Sequence, residues 1–224
     1  MPSLKKQLSD DWVLFESISN DIGTKGYSIQ TDALPKSLAN LLLQHITTLP
    51  KENFKRAGVG RADDLTINDL VRTDEVCWIT GNSLAGGAWI EWASSLQQFL
   101  NRRLFLGLFS FESHFSHYAQ GSFYKKHKDA FKGESNRVLS VVVYLNEDWL
   151  ESDGGELVIY DNQVSNSLTK GHCKITVEPK LGSIVIFLSE TFPHEVLPVQ
   201  RDRYAIAGWF RLNSSIANNI DPPS

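Results

Sequence analysis

Cysteine is scarce in this chain. Cys77 and Cys173 are its only two, and they lie far apart without forming a CxxC pair. A disulfide framework is not indicated, and a reducing cytoplasm fits that usage. Long apolar runs are absent too: no stretch approaches the length of a membrane span, and Met1-Pro2-Ser3-Leu4-Lys5-Lys6 is not followed by an apolar signal core. Charge of one sign is also lacking, with 22 Lys and Arg against 26 Asp and Glu and a net charge of −4. No general affinity for nucleic acid or for anionic membranes is therefore implied. There is no internal repeat and no low-complexity tract. What remains is ordinary for a soluble globular protein: 42% hydrophobic and 21% charged residues in 224. That length suffices for one domain with a full core, or one domain with an N-terminal extension.

The first half of the chain has helical periodicity. Trp12, Phe15, Ile18 and Ile22 are spaced for a short amphipathic helix over 11–22, with Asp10 and Asp11 at its start and Gly23 and Gly26 ending it. Tyr27 to Gln30 reads as a strand. Leu34-Pro35 opens a second helix, with Leu38, Leu41, Leu42, Ile46 and Leu49 on one face and Pro50 closing it. His45 beside that stripe reads as a packed or surface residue. Residues 55–75 are glycine-rich and charged, the pattern of a long mobile loop. Val76 to Ile79 is expected to be a short buried strand. Gly86-Gly87 precede a third helix with Trp89, Ala93, Leu96 and Leu100 along one side.

From Leu104 the period changes to two. Phe111, Ser113, Phe115 and His117 alternate with Glu112, His114, Ser116 and Tyr118. Arg137 to Leu145 is apolar on both faces, as a central strand should be. Further strands are expected at Glu156–Tyr160, Cys173–Val177, Ser183–Leu188 and Tyr204–Leu212, and residues 213–224 read as a frayed tail. Helices followed by many short strands predict an α+β protein, a β-sandwich or jelly roll buttressed by N-terminal helices.

The chemistry centres on Tyr118 to Asp129, which ends in His127-Lys128-Asp129. Residues i and i+2 of a strand point the same way, so His127 and Asp129 can reach one ion. His194, in Phe192-Pro193-His194-Glu195-Val196, supplies a second imidazole. Two histidines and one carboxylate on one side of iron(II) leave the opposite positions open for a cosubstrate and dioxygen. Nine residues on, Arg203 shares a strand face with Ala205, Ala207 and Trp209. A guanidinium in an apolar setting needs an anion, and its fork suits a carboxylate. Tyr144 could donate to the same anion. Taken singly, each residue has a plainer role: a solvated lysine-rich turn, an Arg203 paired with Asp202 or Glu195, a core tyrosine. His114, His117 and His172 are not needed as ligands, because the triad is complete without them.

Those residues together resemble the iron(II)- and 2-oxoglutarate-dependent prolyl 4-hydroxylases, most of all the oxygen-sensing branch and its bacterial relatives. The resemblance covers about residues 10–212. It implies a double-stranded β-helix in a single dioxygenase domain over 1–212, with helical support over about 10–102, a jelly-roll core over about 104–212, and a tail at 213–224. It implies that His127, Asp129 and His194 are the metal ligands. Arg203 and Tyr144 would receive the far carboxylate of 2-oxoglutarate, and Tyr118, Leu157 (in Gly154-Gly155-Glu156-Leu157) and Trp209 would complete the cosubstrate pocket. Arg203 counts with the triad among the residues needed for catalysis. The segment Val71 to Gly81 is similar to the one after the family's substrate loop, so residues 56–74 would be the lid. The implied cofactors are Fe(II) and 2-oxoglutarate, with ascorbate allowed as an auxiliary reductant. The implied partners are dioxygen and a proline-containing protein or peptide. For the bacterial relatives that protein is elongation factor Tu.

Two departures matter. Ala207 stands where the oxygen sensors place a threonine, which implies that one hydrogen bond to the cosubstrate is missing or carried by water. Nucleic-acid demethylases of the superfamily carry a second arginine six residues after the first, and here that position is Trp209, which argues against nucleic-acid repair. Two rival functions remain. One is the same chemistry on a free amino acid or small metabolite. The other is a non-catalytic peptide-binding module that kept the barrel.

Overall fold

In the computed structural model the described residues are 4–58, 68–130, 136–161 and 173–213, with side chains from 11 onward in the first helix. The middle of the expected lid (59–67), His172 and all but the first residue of the tail lie outside them.

The first helix, α1, runs over Leu4–Lys25 and buries Phe15, Ile18 and Ile22. It is longer than the expected 11–22 at both ends. Leu, Lys and Gln are good helix formers, so the turn before Asp10 propagates the helix. Gly23 lies inside the helix, where an added Cβ would meet a Leu104 methyl at 3.3 Å, so it marks a close approach to the third helix. Gly26, at φ +78°, is the terminator. After strand β1 (Tyr27–Gln30), helix α2 (Lys36–Thr48) buries Leu38, Ala39, Leu42 and Ile46. Helix α3 (Leu84–Leu104) buries Trp89, Trp92, Ala93, Leu96, Phe99 and Leu100. Gly86 and Gly87 do not precede α3 but form its first turn. Ser83 caps it by accepting from the Gly86 amide at 3.0 Å, and a Cβ on Gly86 would fall 2.1 Å from the Thr80 carbonyl oxygen.

The strands are β2 (Lys55–Arg56), β3 (Glu75–Trp78), β4 (Ser110–Tyr118), β5 (Tyr124–His127), β6 (Arg137–Tyr144), β7 (Leu157–Asp161), β8 (Cys173–Val177), β9 (Ile184–Leu188), β10 (His194–Val196) and β11 (Arg203–Arg211). They form a seven-stranded sheet in the order β1-β9-β6-β11-β4-β3-β2 and a four-stranded sheet β5-β10-β7-β8, with antiparallel pairing throughout. The strand at 75–78 is not buried as expected: Glu75 is exposed and Trp78 is 55% exposed. It lies next to the sheet edge, beside the two-residue β2, which is too short to cover it.

The large sheet has apolar contacts on both sides. Leu139, Val141, Val143, Ile184, Ile186, Ile206 and Phe210 join the helices in one core cluster. Residues of opposite parity, Tyr144, Val185, Phe187 and Ala205, pack with Leu157, Ile159, Val177 and Val196 of the small sheet in a second. The molecule is thus layered as helices, large sheet, small sheet. Each of the valine, leucine, isoleucine and phenylalanine side chains among them, fully buried, contributes roughly 1.5–3 kcal/mol. Among the described residues no helix is long and apolar enough to cross a membrane.

Candidate metal and cosubstrate site

The small sheet brings the two histidines of the sequence pattern face to face. In the antiparallel β10–β5 pair, His194 is directly opposite His127, and Ile159 of β7 flanks it on the other side. Side chains alternate along a strand, so a one-residue slip of β10 would turn His194 away. Asp129 lies two residues past the end of β5, in a bend rather than on the strand as expected. It still reaches the pair: Oδ1 is 3.5 Å from His127 Nε2 and Oδ2 is 3.7 Å from His194 Nε2. One ligand atom from each of the three lies within 4.8 Å of the others.

Hydrogen bonds set the chemistry of these donors. His127 Nδ1 is 2.8 Å from the Lys125 carbonyl and His194 Nδ1 is 3.1 Å from that of Phe192. A carbonyl only accepts, so each Nδ1 carries a proton, and each Nε2 is the atom turned to the Asp129 side. Burial pushes the His194 imidazole down to about 4 against the opposing pull of Asp129, so it is neutral at pH 7. For Asp129, burial would raise the carboxyl, but His194, His127 and the Ser140 hydroxyl together hold it well below the usual range. Ser140 donates to Asp129 Oδ2 at 2.6 Å and shares a 2.9 Å hydrogen bond with Ser189. Two imidazoles and an ionised carboxylate form a donor set that fits a divalent iron.

The second half of the site is Arg203. It begins β11, opposite Tyr118 of β4, and Ala205 follows opposite Tyr144 of β6. Arg203 is 1% exposed, and among the described residues no carboxylate pairs with it. Its guanidinium lies 4.9 Å from the Tyr118 ring centre and 5.1 Å from that of Tyr144. Among the described residues, neither Arg203 Nε nor the Tyr144 hydroxyl has a hydrogen-bond partner. Burial raises the Tyr144 phenol to about 12 against the pull of Arg203, and burial raises Tyr118 as well. A buried cation beside an unpartnered hydroxyl fits an incoming carboxylate. Gly155 makes room for the Arg203 stem: at φ +69°, a Cβ there would sit 2.5 Å from Val199 Cγ1 and 3.0 Å from Arg203 Cδ.

Triad and guanidinium open onto one cleft of about 1170 Å³, whose walls include Tyr118, Leu157, Ala205, Ala207 and Trp209. Tyr144 is fully buried and is not part of that wall. His114 lines the cleft apart from the triad, and burial pushes its imidazole down to about 4. His117 faces Glu75 and Asp202 instead. Sequence reasoning missed Ser140, although a lone hydroxyl on the inward face of an apolar strand was its signal. It also missed Arg137, whose guanidinium lies 3.6 Å from the Trp209 ring and pairs with Glu112 at 2.9 Å.

Comparison with known proteins agrees with this geometry. Residues 113–211 match the family described as the 2OG-Fe(II) oxygenase superfamily. A Pseudomonas putida prolyl-4-hydroxylase structure is 33% identical with a TM-score of 0.78, over 89% of this chain and all of that one. A Trichoplax adhaerens prolyl hydroxylase shares the fold at 24% identity and a TM-score of 0.75, over 94% of each chain. The hypoxia-inducible factor prolyl hydroxylase of Caenorhabditis elegans is 35% identical over 92 residues, which are 40% of this chain and 12% of that protein. Human Egl nine homolog 1 is 33% identical over 93 residues, 40% of this chain and 20% of that protein. The chain thus spans only a small part of the length of those two relatives. A converging triad, a buried guanidinium with no carboxylate partner among the described residues, and a relative at one-third identity matched over its whole solved chain lead to one conclusion: the chain belongs to the 2OG-Fe(II) oxygenase superfamily, in its prolyl hydroxylase branch.

Proposed function

We propose that this protein is a prolyl 4-hydroxylase that modifies a proline in a protein substrate, with elongation factor Tu as the first substrate to test. The observation that carries the proposal is the meeting of the His127–Asp129–His194 cluster and the unpaired Arg203 in one cleft. The chemistry supplied at such a triad, when Fe(II) is bound, is dioxygen activation coupled to oxidative decarboxylation of 2-oxoglutarate. His127, Asp129 and His194 hold the ion. Their carbonyl and hydroxyl partners fix the tautomers and the carboxylate orientation before it arrives. Arg203 donates to the far carboxylate of the keto acid, and Tyr144 supplies the second donor. Tyr118, Leu157 and Trp209 form walls that exclude water from the reacting centre.

A cleft of about 1170 Å³ exceeds what a free amino acid fills and favours a peptide segment. The Caenorhabditis elegans and Pseudomonas putida relatives, both prolyl hydroxylases by name, support proline as the target. The decisive experiment incubates the protein with Fe(II), 2-oxoglutarate, ascorbate and purified elongation factor Tu in air. Succinate should form, together with a peptide one oxygen heavier at a proline. Succinate with no modified protein would shift the proposal to a small substrate. Absence of succinate with any substrate would leave a binding module.

A further inference from the structure

His127 ends its strand, so its ring orientation depends on what touches it. Its imidazole is stacked on Tyr124, with ring centres 3.6 Å apart and planes within 13°. The Arg72 guanidinium lies over the same Tyr124 ring, 4.2 Å from its centre. Two groups this close to one ring centre cannot share a face, so Tyr124 is held between them. Arg72 is itself fixed by a two-pronged ion pair to the buried Asp74, at 2.8 and 2.6 Å. The backbone strengthens the connection. Lys125 donates to Val71 at 2.8 Å, Thr73 to Phe123 at 3.2 Å, and the Phe123 amide to the Thr73 hydroxyl at 3.1 Å. Residues 71–74 are therefore strapped along the strand that carries the first metal ligand.

We infer that Arg72 and Tyr124 are positioning residues for His127, and that docking of the 71–74 strap and metal affinity are one linked equilibrium. The inference rests on the metal role proposed above for His127. A free imidazole rotates about χ2, and only one ring plane aims Nε2 at the Asp129 side. The Tyr124 stack and the Lys125 carbonyl restrict it to that plane. Groups that orient a ligand in this way typically change metal affinity 10- to 100-fold. Linkage makes the effect reciprocal: whatever factor undocking costs the metal, the metal returns as protection of the strap.

The test uses Mn²⁺ as a redox-inert probe, with free ion followed by electron paramagnetic resonance, and needs no turnover. Tyr124→Leu should weaken Mn²⁺ about 10-fold, while Tyr124→Phe, which keeps the ring, should stay near wild type. Arg72→Lys keeps a charge for Asp74 without the planar cap and should fall between them. In the wild type, Mn²⁺ should slow hydrogen exchange at the Thr73 and Lys125 amides, and in Tyr124→Leu that slowing should disappear. A folded Tyr124→Leu that binds Mn²⁺ as tightly as wild type overturns the inference. So does unchanged exchange at Thr73 and Lys125. Failure of the wild type to bind Mn²⁺ overturns instead the metal role of the triad.

Discussion

Replacing Arg203 by methionine should make the ligand-free protein more stable and abolish its response to 2-oxoglutarate. Methionine keeps most of the stem that packs beside Gly155 and removes only the charged fork. Burying an unpaired ion costs several kcal/mol. The opposing contribution is two cation–π contacts, to Tyr118 and Tyr144 at 4.9 and 5.1 Å, about 0.5–2 kcal/mol each. The difference leaves the variant roughly 1–3 kcal/mol more stable. At about 2–4 °C per kcal/mol for a chain of this size, Tm should rise by several degrees. In the presence of Mn²⁺, 2-oxoglutarate at 100 times its Kd should stabilise the wild type by about 2.7 kcal/mol. The variant should show no such shift, because two charge-assisted hydrogen bonds are lost, weakening binding about 100-fold or more. Thermal unfolding with and without 2-oxoglutarate reads both quantities. A ligand-free Arg203→Met less stable than wild type would mean the guanidinium is already satisfied. A retained 2-oxoglutarate shift would mean that it is not the carboxylate site.

Ser140→Ala removes the 2.6 Å donor to Asp129 and should weaken Mn²⁺ about 10-fold with little change in fold, checked by metal titration beside circular dichroism. Gly155→Ala forces a Cβ against Val199 and the Arg203 stem at φ +69°. It should cost about 1–3 kcal/mol and raise the KM for 2-oxoglutarate more than it lowers kcat in a succinate-release assay. The last prediction concerns pH. His114 is held at about 4 in the folded chain, below its unfolded value of 6.5, so the unfolded state binds more protons between those values. Its contribution is complete above pH 6.5 and is lost as pH falls toward 4, amounting to about 3 kcal/mol. His114→Gln should flatten the stability loss between pH 7 and 5 in urea unfolding, and an unchanged slope would contradict it.

Much of the architecture was legible because it is periodic. Alternation along 110–118 separated Phe111 and Phe115, which pack under the helices, from His114, Ser116 and Tyr118, which line the cleft. The run 137–144 is apolar on both faces because β6 is covered by helices on one side and the small sheet on the other. Local pattern failed where the deciding partner is distant in sequence. Gly23 lies inside α1 where Leu104 of α3 approaches closely, and Gly86 is required by the Thr80 carbonyl. The strand at Glu75–Trp78 looks like a core strand, yet its place beside the sheet edge leaves Trp78 in solvent.

For the site, the sequence by itself determined which donors exist: two imidazoles and a carboxylate of the right chemical kind, and a cation that an apolar strand cannot hold without an anion. Composition and spacing specify donor types because hardness, charge and strand parity are properties of single residues and near neighbours. Only the tertiary structure decided that His194 stands opposite His127, that Ser140 holds Asp129, and that Arg72 grips the ring on which His127 rests. Those are pairings across strands and loops, set by register and by the packing of one sheet on another, and no periodicity along a single segment encodes them.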